Sequence, residues 1–72
     1  MPRIPHLKRA RERALLTQEA LAKKSGVAEV TIARAETGHG VQLSTIRRLA
    51  EALNIEATAL MGDGEPEGKE AA

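Results

Sequence analysis

The stretch TQEALAKKSGVAEVTIARAETG, Thr17 to Gly38, leaves this chain few ways to fold. It carries two short helical patterns separated by one glycine. Thr17 suits the cap of the first, because its hydroxyl can accept from the open amide hydrogens of the first turn. Glu19 puts a negative charge where the helix dipole favours one. Gln18 to Ser25 is rich in helix formers, with Leu21 and Ala22 facing inward. Gly26 follows, where a left-handed backbone is needed and glycine adopts it at least cost. Val27 is an apolar plug. The second helix is predicted from about Ala28 to Thr37, with Ile32, Ala35 and Glu36 on one face, and Gly38 ends it. Two helices across such a turn cross at a steep angle.

The rest of the chain supplies what this pair needs to close a core. Met1 to Ile4 reads as a loose arm. Pro5 suits the first turn of a helix, since its missing N–H has no partner there in any case. That helix is expected to reach Ala14, with Leu7, Ala10 and Ala14 inward and His6 exposed. Leu43, Ile46, Leu49, Ala50 and Leu53 recur at three and four residues, which predicts an amphipathic helix with Arg47, Arg48 and Glu51 outside. Asn54 can take the left-handed conformation that ends it. Ile55 to Met61 is read as a short fifth helix. The expected fold is therefore all-α, a bundle of five short helices over residues 1–61. GDGEPEGKEAA, residues 62–72, has acids, Gly and Pro without periodicity and reads as a disordered tail.

Composition narrows the function. The 72 residues include no Cys, Phe, Tyr or Trp. Aliphatic residues must form the core, and an aromatic platform for single-stranded nucleic acid is missing. His6 and His39 are the only histidines, so neither a metal site nor a cofactor is expected. The sequence has neither HExxH nor a P-loop, and no enzymatic activity is expected. It has no apolar run long enough for a membrane span and no signal-peptide pattern, so a cytoplasmic location is expected. The net charge of +1 conceals an uneven distribution. Residues 1–13 carry Arg3, Lys8, Arg9, Arg11 and Arg13 against Glu12. Residues 14–61 are neutral, and Asp63, Glu65, Glu67 and Glu70 outweigh Lys69 in the tail. A basic end suits a polyanion, although an ordinary solvated helix face has the same look.

Taken together, Gln18, Leu21, Ala22, Gly26, Val27, Ile32, Glu36 and Gly38 resemble the phage-repressor/Cro family, also called the xenobiotic-response-element family. The resemblance continues through RRLAEALNI, Arg47 to Ile55, and covers roughly Leu7 to Met61. It implies a lambda-repressor-like helix-turn-helix whose third helix enters the major groove of duplex DNA. Ala28, Glu29, Val30, Thr31 and Arg34 would then face the bases. Thr31 offers a hydroxyl or methyl, Arg34 suits guanine or a phosphate, and Glu29 can accept from cytosine. The resemblance also implies a phosphate contact by Gln18, helped by the positive helix end, and an ion pair between Arg11 and Glu36. The alternative for that pair is a loose surface contact of ~0–1 kcal/mol.

Three departures from the family pattern stand out. Ala28 replaces the usual Ser or Thr, which removes a cap worth ~1 kcal/mol. Glu29 brings a negative charge toward phosphates. The loop after Gly38 offers only His39 where Lys or Arg is usual, and Val41 stands where Pro is frequent. Leu60 and Met61 either complete the core or, with Ile55, form a dimer seam. The implied function is sequence-specific DNA binding as a homodimeric transcriptional regulator. The rival is a protein-binding module, for example an antitoxin that neutralises a toxin and autoregulates its operon.

Overall fold

Five helices order residues 1–61, the residues described by the computed structural model: α1 Leu7–Arg13, α2 Gln18–Ser25, α3 Glu29–Glu36, α4 Leu43–Leu53 and α5 Ala57–Met61. No strand occurs among the described residues. The expected all-α bundle is thus the observed one. The acidic segment 62–72 lies outside the described residues.

The first four helices all stop through a residue in the left-handed region: Leu15 (φ 60°), Gly26 (77°), Gly38 (103°) and Asn54 (59°). After α1, the Leu15 N–H donates to the carbonyl of Glu12 and that of Leu16 to Arg11. The same crossed pair recurs after α3, from Gly38 to Ala35 and from His39 to Arg34, and after α4, from Asn54 to Glu51 and from Ile55 to Ala50. These bonds satisfy carbonyls that a helix end leaves open. After α2 a single bond from Gly26 to Ala22 does the same work. Such sharp stops let helices of seven to eleven residues turn back onto one core.

Leu7, Leu21, Ile32, Ile46, Leu49 and Leu60 fill the centre, each fully buried or nearly so. The inward residues read for α2 and α3 hold: Leu21 and Ile32 are buried, and Ala22 packs against the core. Thr17 caps α2 as expected, its hydroxyl accepting from the Ala20 N–H at 3.0 Å.

Several expectations need correction. The arm is not loose: Ile4 is completely buried, and the Pro2 carbonyl accepts from the Val41 N–H at 2.8 Å. Pro5 and His6 form a turn, so α1 begins at Leu7. His6 is half-buried and its backbone N–H donates to the Leu60 carbonyl at 3.2 Å. Ala14 is exposed because α1 has already stopped at Arg13; Leu16, after the left-handed turn, packs inward instead. Leu43 is 62% exposed, since the chain entering α4 buries Val41 in its place. Ile55 lies in the bend before α5 and not within it.

Candidate nucleic-acid interface

A helix of eight residues cannot hold its own angle, so what fixes α3 determines what its outer face can meet. Its inner face is Ile32 and Ala35, both buried against the core. Its C-terminal end is clamped by charge. Arg11 on α1 donates from Nε to Glu36 Oε2 at 2.6 Å and from Nη2 to Oε1 at 3.2 Å. The third arm of the guanidinium, Nη1, donates to the Leu16 carbonyl at 2.8 Å. Gln18, the first residue of α2, donates from Nε2 to Glu36 Oε1 at 3.0 Å. The Arg11 and Glu36 side chains are only 12% and 5% exposed. One carboxylate therefore ties α1 and the start of α2 to the end of α3. Two parallel N–H bonds to a carboxylate carry geometric specificity as well as energy.

The ionisation of the pair is set by this geometry. Burial pushes the Glu36 carboxyl upward, but the hydrogen bonds from Arg11 and Gln18, with the charges of Arg11 and Lys8, outweigh it. Glu36 is thus held below the usual carboxylate range. Its hydrogen bonds to Glu36 raise the Arg11 guanidinium against the opposing effect of burial.

The outer face of α3 is open. Ala28, Glu29, Val30 and Arg34 are exposed, with Val30 at 62%, and Thr31 is half-buried. Ala28 gives no side-chain cap, as its methyl dictates. Thr31 and Arg34 line a cleft of ≈ 500 Å³, together with Met1, His39, Gly40 and Thr45. His39 is tied back to the helix end: Nδ1 lies 3.2 Å from both the Thr37 hydroxyl and the Arg34 carbonyl. Gln18 stands half-buried at the start of α2, its amide nitrogen held by Glu36 and retaining a second hydrogen. These residues could offer an acceptor, a hydroxyl, two donors and an apolar surface to a groove.

The basic end of the sequence does not become one patch. Arg11 is taken up by Glu36. Arg9 and Arg13 line a different groove, ≈ 400 Å³, with His6, Leu53, Ile55 and Ala59, and it shares no lining residue with the cleft beside α3. The site residues assigned to a dimer seam also separate. Leu60 is fully buried within the core, so its side chain cannot form a seam. Met61 is half-buried against the core, and Ile55 keeps 37% exposure.

Sequence reasoning missed two parts of this site. The Leu16 carbonyl completes the Arg11 shell, and any residue type could have supplied it. The Gln18 bond to Glu36 bridges eighteen residues with no local signal. No helix of the described residues is long and apolar enough to cross a membrane. Among those residues no cluster of metal-ligating side chains occurs. A family model described as helix-turn-helix matches residues 7–60, about three quarters of the chain. No curated protein gives a significant match.

Proposed function

Because the chain belongs to the helix-turn-helix family of the repressor/Cro type, a family of DNA-binding regulators, we propose that it binds duplex DNA sequence-specifically as a small cytoplasmic transcriptional regulator. One observation carries the reading: α3 buries Ile32 and Ala35, is clamped at Glu36, and, with Ala28 before it, presents Glu29, Val30 and Arg34 to solvent. A clamped helix with an open outer face is what a major groove admits. Thr31 and Arg34 act toward base edges or phosphates, and Gln18 and His39 toward the backbone. A homodimer would set two such helices ~34 Å apart on a pseudo-palindromic operator. The seam is assigned to Ile55 and Met61. No observation favours the toxin-neutralising alternative.

Selection of bound sequences from random duplex DNA tests this. A palindromic consensus with half-sites one helical turn apart is expected. Recovery of unenriched sequence counts against specific binding.

A further inference from the structure

The segment between α3 and α4, residues 37–42, contains no Lys or Arg. It borders the cleft that holds Thr31 and Arg34, where a phosphate backbone would run if α3 entered the groove. His39 is engaged with the end of α3, and Arg9 and Arg13 line the other groove. Apart from Arg34, the residues lining this cleft include no Lys or Arg.

The N-terminal segment supplies one. Its Pro2 carbonyl accepts from the Val41 N–H at 2.8 Å, and Ile4 is completely buried. Met1 lies against Gly40 so closely that a Cβ added there would collide with the Met1 carbonyl. Residues 1–4 are therefore docked along the loop, with Pro2 half-buried, Ile4 buried, and Met1 and Arg3 exposed. Arg3 takes part in no hydrogen bond or ion pair among the described residues. Both features that permit this docking lie in the loop. Residue 41 has an N–H to give, which proline would lack, and residue 40 has no side chain.

We propose that Arg3, held beside the α3–α4 loop by the docked N-terminal segment, is a phosphate-contacting residue of the DNA interface. It performs the task for which the loop itself has no permanent cation. The inference rests on the DNA-binding reading above and names a residue which that reading does not include. Arginine suits the task because its planar guanidinium can grip two phosphate oxygens at once. A contact of this kind positions the protein and carries no base preference.

The test compares duplex binding of wild type, Arg3→Ala, Arg3→Lys, Gly40→Ala and the Arg3→Ala/Gly40→Ala double variant across a salt series. The duplexes are a selected site and a random sequence. Arg3 is exposed, so Arg3→Ala should melt like wild type. Its affinity should fall by the same factor on both duplexes. The slope of log affinity against log salt should become shallower by about 0.9, so that the wild-type advantage shrinks about 3.5-fold between roughly 50 and 200 mM salt. Arg3→Lys should restore most of the slope. Gly40→Ala, which displaces the segment while keeping Arg3, should flatten the slope as Arg3→Ala does, and the double variant should lose little more. An unchanged slope in Arg3→Ala, or fully additive losses in the double variant, would overturn the proposal while leaving DNA binding intact. Failure of wild type to bind any duplex would instead remove the DNA-binding reading, and this inference with it.

Discussion

Glu36, the last residue of α3, grips Arg11 of α1 with both carboxylate oxygens, and the guanidinium's remaining arm bonds the Leu16 carbonyl. The pair is nearly out of solvent. Removing one partner leaves the other without its counter-charge. Arg11→Ala should therefore destabilise the domain by about 1–3 kcal/mol. Arg13→Ala, at an exposed position, should cost within about 0.5 kcal/mol. Chemical denaturation of both variants, with a double-mutant cycle through Glu36→Ala, measures the coupling directly. A coupling near zero would refute the clamp.

Acid should loosen the same clamp. The folded-state carboxyl of Glu36 lies below its ordinary value, so the ionised pair stabilises the fold at pH values above about 4.3, the ordinary glutamate value. That contribution is lost as pH falls through the lowered folded value. Arg11, shifted upward, stays protonated throughout. Glu36→Gln should be less stable than wild type at neutral pH, with the gap closing in acid. Melting curves between about pH 2 and 7 check this; a gap independent of pH would show that Glu36 titrates alike in both states.

Leu15 is the exception among the helix stops. It is 91% exposed and holds φ 60°, where a Cβ costs roughly 1–2 kcal/mol that glycine avoids. Part of this gain is offset by the larger entropy of an unfolded glycine. Leu15→Gly should stabilise the domain by about 0.5–1 kcal/mol. A melting temperature that falls would mean that Leu15 makes contacts beyond its backbone.

These stops also show why some of the fold was legible and some was not. Gly26, Gly38 and Asn54 are the residue types that take a left-handed backbone, so α2, α3 and α4 could be bounded from sequence. Leu15 is not, and the sequence pattern carries α1 one residue too far, to Ala14. Ile4 escaped because one apolar residue beside two prolines carries no period; its burial follows from the Val41 bond to Pro2. Leu43 fitted the helical period perfectly but begins α4, where the period tells which side a residue occupies and not whether anything covers it. At the candidate interface, the Arg11–Glu36 pair came from resemblance, whereas the splitting of the basic residues between two faces depends on tertiary packing.

Ile4 and Leu43 give a paired measurement of that point. Ile4 is completely buried and Leu43 is 62% exposed. Ile4→Ala should cost about 2–4 kcal/mol through lost transfer energy and a cavity. A core of this size supplies roughly 3–5 kcal/mol in total, so much of the variant should be unfolded at 37 °C. Leu43→Ala should change stability by less than about 0.5 kcal/mol. Equal effects would contradict the packing of the N-terminal segment.

Glu29 poses a sharper question, since it begins α3 on the open face and follows an Ala28 that gives no cap. One role is purely local: a carboxylate in the first turn interacts with the helix dipole at ~0.3–1 kcal/mol and ignores the bases. The other is readout. An ionised carboxylate only accepts, and the matching donor in the major groove is the cytosine amino group. Glu29→Gln keeps the shape, removes the charge and supplies an amide suited to adenine. Both roles predict tighter binding to random duplex, because a charge repelled by phosphates is gone. Readout alone predicts a changed base at one position per half-site, with discrimination shifting by ~1–3 kcal/mol. The consensus sequences selected by wild type and variant decide between them. We expect one position to move from cytosine toward adenine. Identical consensuses, with uniformly tighter binding, would leave Glu29 as a helix-start residue and pass direct readout to Thr31 and Arg34.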